Sequence, residues 1–350
     1  MTITQHLIVE EYGAFISKHS ERIIVKRKDE KLAQAPLLHL ESILIASMGV
    51  SISADAVREC TERGIPIHFM SSTGTPYASL YSSGLTGTVI TRRAQLTAFN
   101  DRRGLFAVLA FITGKLQNQT NLLKYMSKYR KETAPDLYEE LRLRADEVYA
   151  HLAEIDQITR YPEVCQEGTA TIDQLRGELL SIEGRAAQKY WSAIKLVLPE
   201  ELNWPGRKGR GATDPINGAL NYGYGILYGQ VERAIVLAGL DPYAGFMHVD
   251  RPGKPSLVLD LIEEFRQTVV DRCVLAYFNK GQRLAMDAQG RIEEESRRRF
   301  AEKVLERLEA AERVGKEHLT LRAILQRQAR AVAGYLREER EMYESYTAAW

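Results

Sequence analysis

The sequence lacks most of the features that mark secreted, membrane or metal-finger proteins. No apolar run reaches the roughly 18 residues that a membrane-spanning helix needs, so no membrane association is expected. The opening residues, MTITQHLIVEEYG, have neither a basic start nor an apolar core, so no secretory leader is expected. There are three cysteines, Cys60, Cys165 and Cys273, widely spaced and odd in number. That pattern excludes a zinc spacing and a disulfide framework, and it points to a reduced, cytoplasmic protein with buried thiols. Net charge is nearly absent too, at +1, so bulk charge gives no argument for a nucleic-acid partner. Internal repeats and low-complexity tracts are missing.

What is present reads as a globular chain of the α+β class. The 350 residues, 45% hydrophobic and 27% charged, suit two domains or one large one. LIVEEYGAFIS and RIIVKR read as strands joined by a polar turn, and SILIAS and IPIHFMS as short buried strands. SADAVRECTERG, with a Ser/Asp start and a Gly stop, reads as a short helix. GTPYASLYSSGLTGTVI alternates apolar and small polar residues. A small N-terminal β domain is therefore expected over residues 1–88. From residue 89 to 350 helical periodicity dominates, through AQLTAFNDRRGLFAVLAFITGKLQNQTNLLKYMSKYR, PSLVLDLIEEFRQTVVDRCVLAYF and RRRFAEKVLERLEAAERV among others. LPEELNWPGRKGRGATDP interrupts it with Pro and Gly and reads as a loop.

Charge is uneven locally. Residues 91–130 hold eight cations, Arg92, Arg93, Arg102, Arg103, Lys115, Lys124, Lys128 and Arg130, against one acid, Asp101. Such a cluster can hold phosphates even in a neutral protein, although a solvated helix face has the same composition. In the loop, Arg207, Lys208 and Arg210 are spaced by glycines that let the backbone follow a ligand. This is no P-loop, because Lys208 is not followed by Ser or Thr.

Two stretches carry candidate chemistry. In MHVDRPGKPSLVLDLIEEF, Val258, Leu261, Ile262 and Phe265 form one helical stripe, and Asp260, Glu263 and Glu264 fall opposite it. Acids on an outer face are usually solvated, and a single histidine is usually a packed one. Yet His248 precedes a turn that can fold it back beside those acids, and imidazole with carboxylates suits Mg²⁺ or Mn²⁺. In LRGELLSIEGRAAQKYW, Glu183 borders the stripe of Leu175, Leu179, Ile182, Ala186 and Tyr190. A carboxylate there needs a cation, a donor network or a metal, and Gly184, Ala186 and Ala187 leave room beside it. Acids on two helices, a histidine and basic surfaces fit metal-assisted phosphodiester chemistry. Helical geometry leaves the choice among Asp260, Glu263 and Glu264 open.

Three of these motifs, SIEGRAAQKYW, DPINGALNYGYGILYGQVERAIVLAGLDPYAGFMH and KPSLVLDLIEEFR, occur together and in order in the CRISPR-associated endonuclease/integrase (Cas-one) family, which the chain resembles over nearly its whole length. Weaker matches are ITRRAQLTAFND, KLQNQTNLL, SADAVRECTERGIPIHFMS and ILQRQARAVAGYL. The resemblance implies an N-terminal β domain that dimerises and a helical catalytic domain. It implies one divalent metal, Mg²⁺ or Mn²⁺, held by Glu183, His248 and Glu263, with Asp260 as fallback ligand or supporting group. In other members the third ligand is Asp. The implied reaction is phosphoryl transfer, in which the 3′-hydroxyl of a spacer DNA attacks a phosphate at the repeat boundary, or water attacks instead. The implied partners are DNA and a small protein, Cas-two, whose dimer is flanked by two Cas-one dimers. Charge alone nominates Arg207, Lys208 and Arg210 for backbone contacts, then Arg92, Arg93, Arg102 and Arg103. A non-catalytic DNA-binding scaffold is the alternative; a hydrolase of small phosphate esters would have no use for the basic cluster.

Overall fold

In the computed structural model, which describes residues 6–71, 74–81, 89–165 and 169–350, the N-terminal part is built of short strands, as the sequence leads one to expect. They are β1 (His6–Val9), β2 (Phe15–His19), β3 (Arg22–Arg27), β4 (Glu30–Pro36), β5 (Ser42–Ile45), β6 (Ser51–Ile52), β7 (Ile67–Met70) and β8 (Pro76–Leu80), with α1 (Ala54–Glu62) between β6 and β7. They make two four-stranded sheets, ordered β1-β5-β7-β8 and β4-β3-β2-β6. The run LIVEEYGAFIS is not one strand. It breaks after Val9 and resumes at Phe15, with Gly13 at φ 80° in the turn, so its halves feed different sheets. Val9, Ile16, Ile23, Val25, Ile43 and Ile67 from both sheets share one core, onto which α1 adds Ala56 and Cys60.

The helices that follow are α2 (Val89–Ala98), α3 (Arg102–Ser127), α4 (Pro135–Ile158), α5 (Pro162–Cys165), α6 (Ile172–Val197), α7 (Pro215–Leu237), α8 (Ser256–Leu261), α9 (Arg272–Asn279), α10 (Glu294–Leu308) and α11 (Leu321–Leu336). A small β region followed by a mostly helical part is the α+β organisation expected. Local chemistry sets the boundaries. Asp101 caps α3 by accepting from the backbone N–H of Arg103 at 2.8 Å, which splits the expected run from residue 94 into two helices. Thr171 and Gln174 close a capping box at the start of α6.

Two compact units result. The first comprises Met1–Thr86, Gly209–Gly229 and Leu284–Glu306, and the second Gly87–Lys208, Gln230–Arg283 and Arg307–Trp350. The expected cut at 88/89 falls at the end of residues 82–88, the part of the Gly/Ser-rich segment that lies outside those described. In the first unit Arg297 Nε donates to Glu10 Oε1 at 2.6 Å, a buried ion pair. Among the described residues no helix is long and apolar enough to cross a membrane.

Three further differences from expectation are structural findings. The expected helix over 255–278 is a composite: α8, a 3-10 turn (Ile262–Glu264), a π-helical turn (Arg266–Asp271) and α9. Phe265, at φ −115°, joins the tight turn to the wide one. The end of RRRFAEKVLERLEAAERV leaves the helix and forms β9 (Ala311–Val314), paired antiparallel with β10 (Glu317–Thr320) around Gly315 at φ 62°. Cys60 and Cys273 are buried, but Cys165 is exposed, because α5 is a single short turn.

Candidate active site

The site lies within the second unit and is assembled from four segments. Lys115 comes from α3, Glu183 from α6, His248 from the loop between α7 and α8, and Asp260 and Glu263 from α8 and the 3-10 turn. All five line one small, partly open cleft, whose apolar wall is Phe111, Ile112 and Met247. Each of the three acids placed opposite the apolar stripe is buried: Glu264 is 0% exposed, Asp260 1% and Glu263 7%. The solvated outer face does not exist, because this composite helix is packed on nearly every side, and amphipathic reasoning needs one face in water. The three acids then diverge, each to a different set of partners.

Asp260 faces the histidine loop. Its Oδ2 accepts from the backbone N–H groups of Phe246 at 2.7 Å and Met247 at 3.0 Å. Its Oδ1 accepts from the backbone N–H of His248 at 3.1 Å and lies 2.7 Å from His248 Nδ1. A carboxylate can only accept, so Nδ1 is the donor of this pair, and in the neutral imidazole that tautomer leaves the lone pair on Nε2. Arg176 ties down the same loop from α6, donating to the carbonyls of Met247 and Phe246, each at 3.0 Å.

Glu263 faces the cleft. Its Oε1 lies 3.2 Å from Arg266 Nη2 and its Oε2 lies 2.7 Å from Lys115 Nζ. The second contact is an ion pair off hydrogen-bond alignment, since the buried Oε2 has no aligned donor among the described residues. Burial pushes this carboxyl up, but Arg266 and Lys115 outweigh it and hold the group below the usual glutamate range. Lys115 Nζ also donates to Glu183 Oε1. Burial pulls the ammonium down, and the charges of Glu263 and Glu183 outweigh it and raise it. Glu183 is therefore the paired carboxylate that its position on the stripe demands. Its partner is a lysine that composition alone placed in a basic, phosphate-facing cluster. Beside it Gly184 is open: a Cβ there would meet nothing within 4 Å.

Glu264 faces the C-terminal segment. It accepts from Tyr343 Oη, from the backbone N–H of Tyr346 at 2.9 Å and from Gln328 Nε2 at 3.2 Å. Burial pushes its carboxyl up to about 7 in spite of these donors. Asn118, one turn after Lys115, donates to the carbonyls of Glu264 at 2.9 Å and Tyr346 at 2.8 Å, and accepts from Ala348 N–H at 2.9 Å. Asn118 and Gln328 were not singled out from the sequence. The signal was there in KLQNQTNLL and ILQRQARAV, where uncharged amides occupy positions that face the interior.

The cations nominated for DNA separate by burial and bonding. Arg92, Arg93 and Arg102 are exposed on α2 and at the start of α3. Arg103 is engaged within the fold, with Nη2 on Asp101 Oδ2 and Nη1 on the Leu336 carbonyl, both at 2.6 Å. Arg207 lies 5.8 Å from the ring of Trp191, which packs edge-on to the buried Trp204. Lys208 and Arg210 are exposed, and they fall in the second and first units respectively.

Residues 7–306 match the family model described as CRISPR associated protein Cas1. The chain belongs to the Cas1 family. The relative in Archaeoglobus fulgidus, CRISPR-associated endonuclease Cas1 1, is 36% identical over 355 residues, covering 98% of this chain and 99% of its own. A second, CRISPR-associated endonuclease Cas1 2 of Saccharolobus solfataricus, is 31% identical over 97% of each chain. Among solved structures, a casposase bound to integration product has a TM-score of 0.79 at 20% identity, covering 97% of this chain and 93% of that one. A Cas1 protein from Thermotoga maritima has a TM-score of 0.73 at 19% identity, covering 97% and 99%. At such identity these structures speak for the Cas1 fold alone. Among the described residues no three His, Cys, Asp or Glu side chains meet at metal-ligand spacing; the cation between Glu183 and Glu263 is Lys115.

Proposed function

We propose that the chain is a metal-dependent DNA endonuclease and integrase of CRISPR spacer acquisition, with Glu183, His248 and Glu263 holding one Mg²⁺ or Mn²⁺. The observation that carries this reading is convergence: a carboxylate from α6, a carboxylate from the 3-10 turn and the loop imidazole line one cleft. The donor set suits a hard divalent ion. Two carboxylates already face a cation, Glu263 Oε2 is buried with no aligned donor among the described residues, and Asp260 engages the histidine through Nδ1. Such a carboxylate–histidine pairing orients a ligand and makes it more basic. Asp260, with both oxygens occupied by the loop, acts as the orienting group rather than the fallback ligand. A bound metal supplies Lewis-acid polarisation of the scissile phosphate and stabilises the leaving oxygen.

The chain's own residues do the rest. Phe111, Ile112 and Met247 give the cleft an apolar wall, which strengthens electrostatic interactions beside it. Arg92, Arg93, Arg102, Arg207, Lys208 and Arg210 grip DNA phosphates. The 3′-hydroxyl of a spacer forms a new phosphodiester bond as the repeat-boundary P–O bond breaks, and water in its place gives hydrolysis. The relatives' name, CRISPR-associated endonuclease, supports the nuclease half of this reading. Assembly follows the same family reading: homodimers formed through the N-terminal β domain, two of them flanking a Cas-two dimer.

A second reading, a DNA-binding scaffold without catalysis, draws on Lys115 filling the place between the carboxylates. Branched and linear DNA incubated with the protein in Mn²⁺, Mg²⁺ or EDTA, beside Glu183→Ala, separates the two. Metal-dependent cleavage or strand transfer that disappears in the variant while DNA binding persists is expected. Activity unchanged in the variant would remove Glu183 from the chemistry, and DNA binding without activity, with and without the small partner, would leave the scaffold.

A further inference from the structure

We propose that Lys115 is a positioning residue that serves as the resident counter-cation of the site, holding the Glu183 and Glu263 carboxylates in place without metal and yielding that place when a divalent ion enters. The inference rests on the metal reading above and adds a residue and an order of events to it.

The geometry carries it. Lys115 Nζ contacts Glu183 Oε1 and lies 2.7 Å from Glu263 Oε2, so one ammonium touches both carboxylates. The lysine side chain is 10% exposed and that of Glu263 is 9%. Glu183, with its side chain 18% exposed, and the buried Glu263 repel at this separation from water unless a cation lies with them. Lys115 sits mid-way along a long helix, and α3 packs against both α6 and the 3-10 turn, so a rigid element delivers the ammonium. The two carboxylates come from segments 80 positions apart (183 to 263) and meet nowhere else among the described contacts.

A divalent ion cannot join this arrangement unchanged. An ammonium and a divalent ion on the same two oxygens would bring three positive charges within a few ångströms in a poorly solvated site, where like charges repel strongly. One has to leave. The lysine can, since its charge ends a flexible four-carbon stem, whereas an arginine fork is rigid and planar. A purely structural lysine would support the site at all times, and losing it would weaken every ligand. A resident counter-cation competes with the metal, and losing it makes metal binding tighter. The two roles predict opposite signs.

The test uses Mn²⁺ alone as the probe, without DNA, on the full chain. Mn²⁺ titrations followed by electron paramagnetic resonance compare wild type, Lys115→Met, Lys115→Arg and Glu183→Gln. Lys115→Met should melt earlier without metal yet bind Mn²⁺ about tenfold tighter or more, and its melting temperature should rise more on metal addition than that of wild type. Lys115→Arg, keeping the charge on a stiffer group, should bind no tighter than wild type. Unchanged or weaker binding in Lys115→Met, while Glu183→Gln loses the ion, would overturn the proposal and leave the metal reading standing. Equal Mn²⁺ binding by wild type and Glu183→Gln would sink the metal reading and the proposal with it. Should Lys115→Met not fold, wild type carrying isotope-labelled lysine answers the same question. Saturating Mg²⁺ should move the Nζ signal that is missing in Lys115→Arg, and a signal that stays put would overturn the proposal.

Discussion

Asp260 holds His248 twice, through the ring at 2.7 Å from Nδ1 and through the backbone N–H at 3.1 Å. The same carboxylate fixes the two residues before it, so the loop and the imidazole are positioned by one side chain. Asp260→Asn keeps the shape but loses the charge and one acceptor. Its unfolding free energy should fall by about 1–3 kcal/mol, the cost of an amide left unpaired in the interior. Metal affinity should fall roughly 10- to 100-fold, as expected of a supporting group behind a ligand. Denaturant melts and Mn²⁺ titration measure the two; an unchanged affinity would mean that the imidazole needs no support.

Gly114 leaves no room for a side chain. A Cβ there would come within 2.6 Å of Ser345 Cβ and Oγ and 3.4 Å of Glu264 Cγ. Gly114→Ala should therefore push the C-terminal segment away from α3. Amides of Tyr346 and Ala348 should exchange with solvent faster by hydrogen-exchange mass spectrometry, and the melting temperature should fall. Unaltered protection at Tyr346 would show that the segment shifts without letting go.

The raised carboxyl of Glu264 makes stability depend on pH. Its ordinary value is 4.5 and in the fold it is about 7, so between these the native state binds the extra proton. Stability from this group is full below pH 4.5 and is lost as pH rises to about 7. Glu264→Gln, permanently neutral, should flatten the decline of melting temperature across that window. Glu10 is raised as well, by burial first, and adds a slope of the same sign that the variant leaves in place. An identical pH profile in Glu264→Gln would mean that the carboxyl titrates normally.

Two neighbouring arginines on the basic stretch should behave differently. Arg102 is exposed, whereas Arg103 bonds Asp101 and the Leu336 carbonyl. Arg102→Ala should weaken DNA binding and reduce the slope of log affinity against log salt by about 1, with little change in stability. Arg103→Ala should chiefly lower the melting temperature. Fluorescence anisotropy over a salt series, beside thermal melts, distinguishes them; equal salt slopes would undo the distinction.

Much of the fold was legible because its signals are local. The capping box at Thr171, the Asp214–Pro215 start of α7 and the β-branched run of RIIVKR need only near neighbours. The proposed ligands Glu183, His248 and Glu263 were nominated by family motif, and helical geometry could not separate Glu263 from Asp260 or Glu264. It fails because it assumes an ideal helix with one wet face, and here a 3-10 turn meets a π turn inside a packed interior. Turns of unusual width are often found at functional positions for this reason: they re-aim side chains that a regular helix would stack. Lys115 was legible as a charge but not as a buried one, since its partners lie 68 and 148 positions later (183 − 115 and 263 − 115). The β9–β10 hairpin was hidden by the helix-forming composition of EAAERV; Gly315 in the turn is its clearest trace.

The grip of Tyr346 and Ala348 on Glu264 and Asn118 has a consequence for synthesis. The ribosome delivers these partners 82 residues after Glu264 and 230 after Asn118. Until they emerge, two polar side chains near the cleft lack backbone partners that the fold gives them. The N-terminal strands can pair early, but the partners of Glu264, the residue after Glu263, arrive only with residues 343–346. A product truncated before Tyr346 would carry Glu183, His248 and Glu263 without the backbone N–H groups that Glu264 and Asn118 accept from in the fold.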